Sequence, residues 1–208
     1  GHEIIASVFA EALAEPVGAA AVADTARVAV GAWHMQASAA LGQPDPATMQ
    51  EPGRSLSIID LREEARGHGE RPDPKVGIVW APDGGTLVGM AVGAAASASD
   101  SPAATWRSGA DASARGATLV LGRSYGDLKL LLAASMLDAG VDRSQFDTLI
   151  DRGASSHVDG RALAVSASLA WGLRWNGVTV TPSAGLHRQR LDLESYRLES
   201  PYDDGVEY

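Results

Sequence analysis

"RALAVSASLAWGLRWNGVTVTPSAGLHRQRLDLESY" occupies residues 161–196. Between positions 163 and 175 its odd residues are Leu163, Val165, Ala167, Leu169, Trp171, Leu173 and Trp175. The even residues are Ala164, Ser166, Ser168, Ala170, Gly172 and Arg174. A period of two over this length marks a strand with unlike faces, one apolar and ending in tryptophan, the other small or polar. Asn176-Gly177 then supplies a hairpin turn, because both residues tolerate positive φ. The stretch predicts two paired strands.

The same period extends backward from this hairpin. "VGIVWAP" (76–82) and "GTLVGMAVGAAA" (85–96) read as strands, the second with Val88, Met90 and Val92 on one face. "GATLVLGRS" (116–124) and "DLKLLLAASML" (127–137) follow, the latter setting Leu128, Leu130, Leu132 and Met136 against Lys129 and Ser135. "LKLLLAASML" taken alone also fits a helix. Six strands are legible between positions 76 and 190. Their connections alternate. "PDGG", "YGD" and "NG" are tight, whereas residues 97–115 and 138–160 are long, polar and expected to be loops. Short turns at one end and long loops at the other, on strands of about 10 residues, match an outer-membrane barrel. On that reading Leu163, Val165, Leu169, Trp171, Leu173 and Trp175 face lipid, with Trp175 in an interfacial girdle. Lys129, Ser135, Ser166, Ser168 and Arg174 face the lumen. A soluble antiparallel sheet with one buried face also alternates, so a β-rich or small-barrel binding module without a membrane role is the alternative. An aromatic content of 5% is low for a girdled barrel.

Before position 75 the signals differ. "EIIASVFAEALAE" (3–15) places Ile4, Ile5, Val8, Phe9, Ala12 and Leu13 at helical spacing, and Pro16 and Gly18 are expected to end that helix. "DTARVAVGAWHMQASAALG" (24–42) reads either as a second helix capped by Asp24 or as a strand. "QPDPATMQEPGRS" is a loop by its prolines, and "REEARGHGERPDP" a charged linker. The expected division is a helical and linker segment at 1–74 and a β region at 75–208.

Composition narrows the function. A net charge of −9 in 208 residues, with Lys+Arg 17 against Asp+Glu 26, argues against nucleic acid as a partner, which needs clustered cations. The absence of cysteine excludes disulfides and thiolate chemistry. No apolar run is long enough for a transmembrane helix.

The residues just quoted carry a family resemblance. "DGGTLVGMAVGAAAS", "YGDLKLLLAASMLDAGVDRSQF" and "VDGRALAVSASLAWGLRWNGVTVTPSAGLHRQRLDLESYRLE" resemble the translocator β-domain of autotransporters, the type V secretion family. The matching features are Asp142-Arg143, Gly172-Leu173, Thr181-Pro182, and Ser195-Tyr196 with Glu199. The resemblance implies a mainly β fold: an antiparallel up-and-down outer-membrane-type β-barrel, partial with six to seven strands visible, preceded by an α-helical N-terminal segment. It implies a translocator or anchor in the outer membrane of a Gram-negative bacterium, without catalysis or cofactor. Its implied partners are the lipid bilayer, a passenger segment in cis and the outer-membrane assembly machinery.

Catalytic and metal-binding alternatives find little support. His2, His34, His68, His157 and His187 share no metal-ligand spacing. Ser155, Ser156, His157 and Asp159 are the residue types of a hydrolytic site, but neighbours on a loop rarely converge into a triad. "GRSYG" (122–126) lacks the helix that follows a nucleophile elbow. Arg143, Arg161, Arg174, Arg188 and Arg190 stand out as cations within or beside the strands. Arg188 and Arg190 fall where the alternation slips, and read as surface residues.

Overall fold

The computed structural model describes residues 2–42, 55–60, 76–102, 106–147, 152–175 and 178–194. In chain order these form α1 (His2–Gly42), β1 (Ser55–Asp60), β2 (Val76–Asp83), β3 (Thr86–Pro102), β4 (Trp106–Tyr125), β5 (Leu128–Asp147), β6 (Arg152–Trp171), β7 (Leu173–Trp175), β8 (Val178–Val180) and β9 (Ser183–Leu193). One antiparallel sheet of seven strands runs in the order β1-β2-β3-β4-β5-β6-β9, and β7 pairs with β8. The fold is mainly β, up-and-down, with one N-terminal helix, as the strand pattern and the resemblance implied.

The hairpin turns follow from local chemistry. Asp83 accepts the backbone N–H groups of Gly85 at 2.8 Å and Thr86 at 2.5 Å, and the Thr86 hydroxyl at 3.0 Å. An Asx-type closure of this kind is why Asp starts tight turns. These bonds, led by the Gly85 N–H, hold the Asp83 carboxyl below its ordinary pKa. The next turn carries Gly126 at φ 60°, a left-handed conformation that glycine adopts without a Cβ clash.

Four features depart from the sequence reading. First, residues 97–115 and 138–160, expected to be loops, are largely paired strand. β3 and β4 stay in register up to Pro102↔Arg107, and β5 and β6 up to Asp147↔Arg152. These extensions are rich in Gly, Ala, Ser and Asp, which carry little β-propensity and no large apolar alternation. The alternation survives in small residues: Ala110, Ala112, Ala114, Ala139 and Val141 are buried on one face.

Second, α1 is a single helix across Pro16 and Gly18, and residues 27–41 belong to it. Beyond these local breakers α1 is held by tertiary packing, which supplies most helix stability in proteins. Val22, Ala26, Ala29, Val30, Trp33, Ala37 and Leu41 recur at helical spacing and are buried against the sheet. At about 1.5 Å per residue the 41 residues of α1 reach about 60 Å. The 20 residues of β5 at about 3.3 Å each reach about 66 Å. Helix and strands are therefore of matching length.

Third, β1 lies inside the segment expected to be helix and linker, and pairs with β2 from Ser55↔Ala81 to Asp60↔Val76. Six residues are too few to show a period among loop signals. Fourth, the strand expected to run unbroken from 163 to 175 is interrupted at Gly172. The Gly172 N–H donates to the Asp127 carbonyl at 2.8 Å, and the Trp171 N–H to the Pro182 carbonyl at 3.0 Å. The tip formed by β7 and β8 thereby leaves the main ladder. Trp175↔Val178 flanks the turn; Asn176-Gly177 themselves lie outside the described residues, as do Ser195, Tyr196 and Glu199.

Candidate functional site

The two faces of the sheet are chemically distinct. One bears α1. There the strands present Ala91, Ala112, Ala114, Ala133, Ala139, Ala162 and Ala164, with Val79, Val120, Leu137, Val141 and Val158 between them, all buried. Small side chains let the helix approach the ladder. One close approach is at Leu41, whose side chain covers Gly77 and Gly89: a Cβ built on Gly89 would stand 3.1 Å from Leu41 Cβ. This answers why residues 161–171 carry large side chains on one face only. The other face is occupied by a helix.

A polar chain crosses the same interface. Thr118 on β4 and Ser135 on β5 share a hydrogen bond of 2.6 Å between their hydroxyls. Ser135 Oγ then meets His34 Nδ1 at 2.7 Å, and His34 Nε2 meets Ser166 Oγ on β6 at 2.8 Å. In a neutral imidazole one nitrogen donates and the other accepts, so the chain has a single proton order at any moment. The His187 ring of β9 lies 5.0 Å from that of His34. The Gln189 amide donates to the Arg27 carbonyl at 3.2 Å. His34 and Ser135 are fully buried. Buried polar groups of this kind stabilise only when satisfied, and here each has a partner on a neighbouring element.

Arg27 and Leu41 lie toward opposite edges of the sheet: the Gln189 amide of β9 meets the Arg27 carbonyl, and Leu41 covers Gly77 of β2, which stands in the same cross-strand row (Gly77↔Ala91↔Thr118↔Ser135↔Ala164↔Gln189). Between these two residues the helix crosses the strands.

The opposite face is apolar over a limited height. Leu163, Val165, Leu169 and Trp171 of β6 are exposed there, beside Leu130, Leu132 and Met136 of β5 and Leu119 and Leu121 of β4. Residues 163–171 meet the roughly 9 residues that a tilted strand needs to cross a bilayer. A row of alternating charge caps this band across four strands, Arg115↔Asp138↔Arg161↔Asp192. Beyond it the same face carries Asp142, His157 and Asp159. His157 Nδ1 lies 2.7 Å from Asp142 and Nε2 lies 3.2 Å from Asp159. Its pKa is raised, chiefly by the Asp142 bond.

Of the residues singled out from the sequence, Ser135 and Ser166 meet at His34 on the helix-bearing face. Ser168 shares their side of β6. Lys129 shares the parity of Ser135 but is exposed beside the turn. Leu163, Val165, Leu169, Trp171 and Leu173 are exposed, the first four on the face away from the helix. The side chains of Arg174 and Trp175 lie outside the described residues. Arg143 is buried on the helix-bearing side. His157, expected in a loop, sits in β6, where alternation turns the buried Ser156 to the other face and both ring nitrogens engage carboxylates. No Ser-His pair forms from these residues. His34, Thr118 and His187 were not anticipated. The signal was the stripe at 22, 26, 30, 33, 37 and 41, which puts His34 beside the buried edge if the segment is taken as a helix.

Long up-and-down strands, an apolar face of bilayer height and a helix on the small-residue face define an outer-membrane-type β-domain. Residues 75–205 match the family described as Autotransporter beta-domain, and the chain belongs to that family. It is thus a translocator domain of type V secretion, resident in the outer membrane of a Gram-negative bacterium and associated with a passenger in cis. No curated protein and no solved structure matches it.

Proposed function

We propose that the helix-bearing face lines the barrel lumen, that α1 threads this lumen as the link to the passenger, and that the opposite face contacts lipid. The observation that carries the reading is His34, held inside the sheet by Ser135 of β5 and Ser166 of β6. A helix with fully buried side chains on the small-residue face leaves the large apolar side chains of the other face for hydrocarbon. In this assignment Ser135, Ser166, Ser168, Lys129 and Arg174 belong to the lumen side, and Leu163, Val165, Leu169, Trp171, Leu173 and Trp175 to the lipid side. The domain conducts or anchors the passenger and performs no chemistry of its own. The tight turns face the periplasm and the charged strand extensions face outward. A passenger joined ahead of α1 is then delivered outside the cell, on the side of the charged extensions. The two terminal strands of the sheet, β1 and β9, each need a partner in an apolar medium, and the outer-membrane assembly machinery is the proposed agent that shields them during insertion.

Single cysteines test the sidedness, since the chain has none of its own. His157→Cys on intact cells should react with a membrane-impermeant maleimide, and Asp127→Cys should react only after the outer membrane is opened. The reverse pattern would invert the assignment.

A further inference from the structure

Two arginines of β9 stand where neighbouring strands are apolar. Arg190 pairs with Leu163, and Arg188 with Val165, both on the face away from α1. In the same two rows β5 carries Met136 and Ala134, and β4 carries Ala117 and Leu119. One row further from the charged end, Leu186 is 81% exposed on the same face. The charged row Arg161↔Asp192 lies immediately beyond Arg190. The two guanidinium groups therefore lie at the rim of the apolar band, on its hydrocarbon side. A cation on a lipid-facing strand is unfavourable there unless its charge is met. Arg190 Nε is bonded to Asp192 at 3.0 and 3.1 Å, which leaves its terminal nitrogens for another acceptor. Arg188 has no ion pair among the described residues. A groove at this strand is lined by Leu163, Val165, Arg188 and Arg190 of this face and, around the edge of the sheet, by Arg27, Gln189 and Leu191 of the helix-bearing side.

We propose that Arg188 and Arg190 bind the phosphate of an outer-leaflet glycolipid, with its acyl chains lying along Leu163, Val165 and Leu186. Guanidinium groups recognise phosphate through paired charge-assisted bonds. The position suits a headgroup phosphate, because the polar boundary set by Arg161 and Asp192 is one row away. An apolar floor beneath two cations fits an amphiphile better than a free anion. The location in the outer leaflet rests on the sidedness proposed above.

The test uses the full chain folded in detergent micelles, with thermal unfolding followed as lipid is titrated. The probes are a bis-phosphorylated acylated disaccharide, its dephosphorylated counterpart and inorganic phosphate. The phosphorylated lipid should raise the unfolding midpoint of the wild type, and the other two should not. Arg188→Gln and Arg190→Gln should each weaken the apparent affinity about tenfold, as expected for loss of a charge-assisted bond. Arg115→Gln, at the same rim but on β4, should leave it unchanged. Should the glutamine variants not fold, Arg188→Lys keeps the charge but loses the planar fork, and should show intermediate affinity. Equal stabilisation of wild type and variants, or by the dephosphorylated lipid, overturns the site. Stabilisation by inorganic phosphate alone overturns its lipid character. Cysteine labelling that inverts the sidedness would refute the outward orientation while leaving phosphate binding in micelles intact, so the two claims fail separately.

Discussion

His34 Nε2 on α1 and Ser166 Oγ on β6 stand 2.8 Å apart, and the same imidazole reaches Ser135 Oγ on β5 at 2.7 Å. One side chain ties the helix to two adjacent strands. Replacing it by alanine removes both bonds and strands Ser166, while Ser135 keeps Thr118. His34→Ala should therefore lower stability by about 1–3 kcal/mol. Urea unfolding of the micelle-folded protein measures this, and an unchanged midpoint would mean that the bonds do not hold the helix in solution.

Adjacent residues on β6 should respond differently to charge. Leu169 is exposed on the apolar face, and Ser168 turns toward the helix side. Leu169→Arg should cost about 2–4 kcal/mol, the range for a cation on a lipid-facing strand near the midplane. On the proposed sidedness Ser168→Arg should cost less, because half-buried Ser168 points away from the lipid. Folding yields into bilayers report the difference, and equal tolerance would speak for a solvated sheet.

The charged extension of β5 and β6 should depend on pH through His157. Its raised pKa means that the folded state binds the proton more tightly than the unfolded chain. The contribution is fully present below the ordinary histidine pKa of 6.5 and is lost as pH rises through the elevated folded value. Half-exposed ion pairs contribute little, so the effect belongs to the local pairing of β5 and β6. Titration of the His157 ring by NMR should give a higher midpoint in the wild type than in Asp142→Asn. Identical curves would remove Asp142 as the cause.

The strand extensions should resist proteolysis. Sequence polarity alone predicts cleavage of intact cells within residues 97–115 and 138–160. Pairing such as Ala112↔Val141 and Val141↔Val158 buries the backbone there. Fragments mapped by mass spectrometry should therefore leave residues 109–115 and 138–143 uncut. Prompt cleavage at Ala112 or Val141 would restore the loop reading.

What the sequence made legible follows from side-chain size. Leu163, Val165, Leu169 and Trp171 announce their strand because large apolar residues alternate with small ones. In the extensions the alternating residues are alanines such as Ala110, Ala112 and Ala139, which look alike in a strand, a helix or a loop. Pro16 and Gly18 signal a helix end locally, yet α1 continues through both, and from Val22 to Leu41 it packs against the sheet. The site was less legible still. Ser135 and Ser166 were singled out by facing alone. Their partner His34 lies 101 and 132 positions away, a proximity that only the packing of α1 on the sheet creates.

The central claim, a helix lodged against the small-residue face inside the membrane-embedded domain, is tested most directly by a cross-link between α1 and β3. Leu41 Cβ lies 3.1 Å from the position of a Cβ on Gly89, so a disulfide, which spans about 3.5–4.5 Å between Cβ atoms, forms after the two elements part by a few tenths of an ångström. Leu41→Cys combined with Gly89→Cys, in a chain otherwise free of cysteine, is to be oxidised in outer-membrane fractions and read as a mobility shift that reductant abolishes. The account predicts near-complete cross-linking in the folded, membrane-inserted protein and none in either single variant. A folded, membrane-inserted double variant whose two thiols both stay free to maleimide would contradict it.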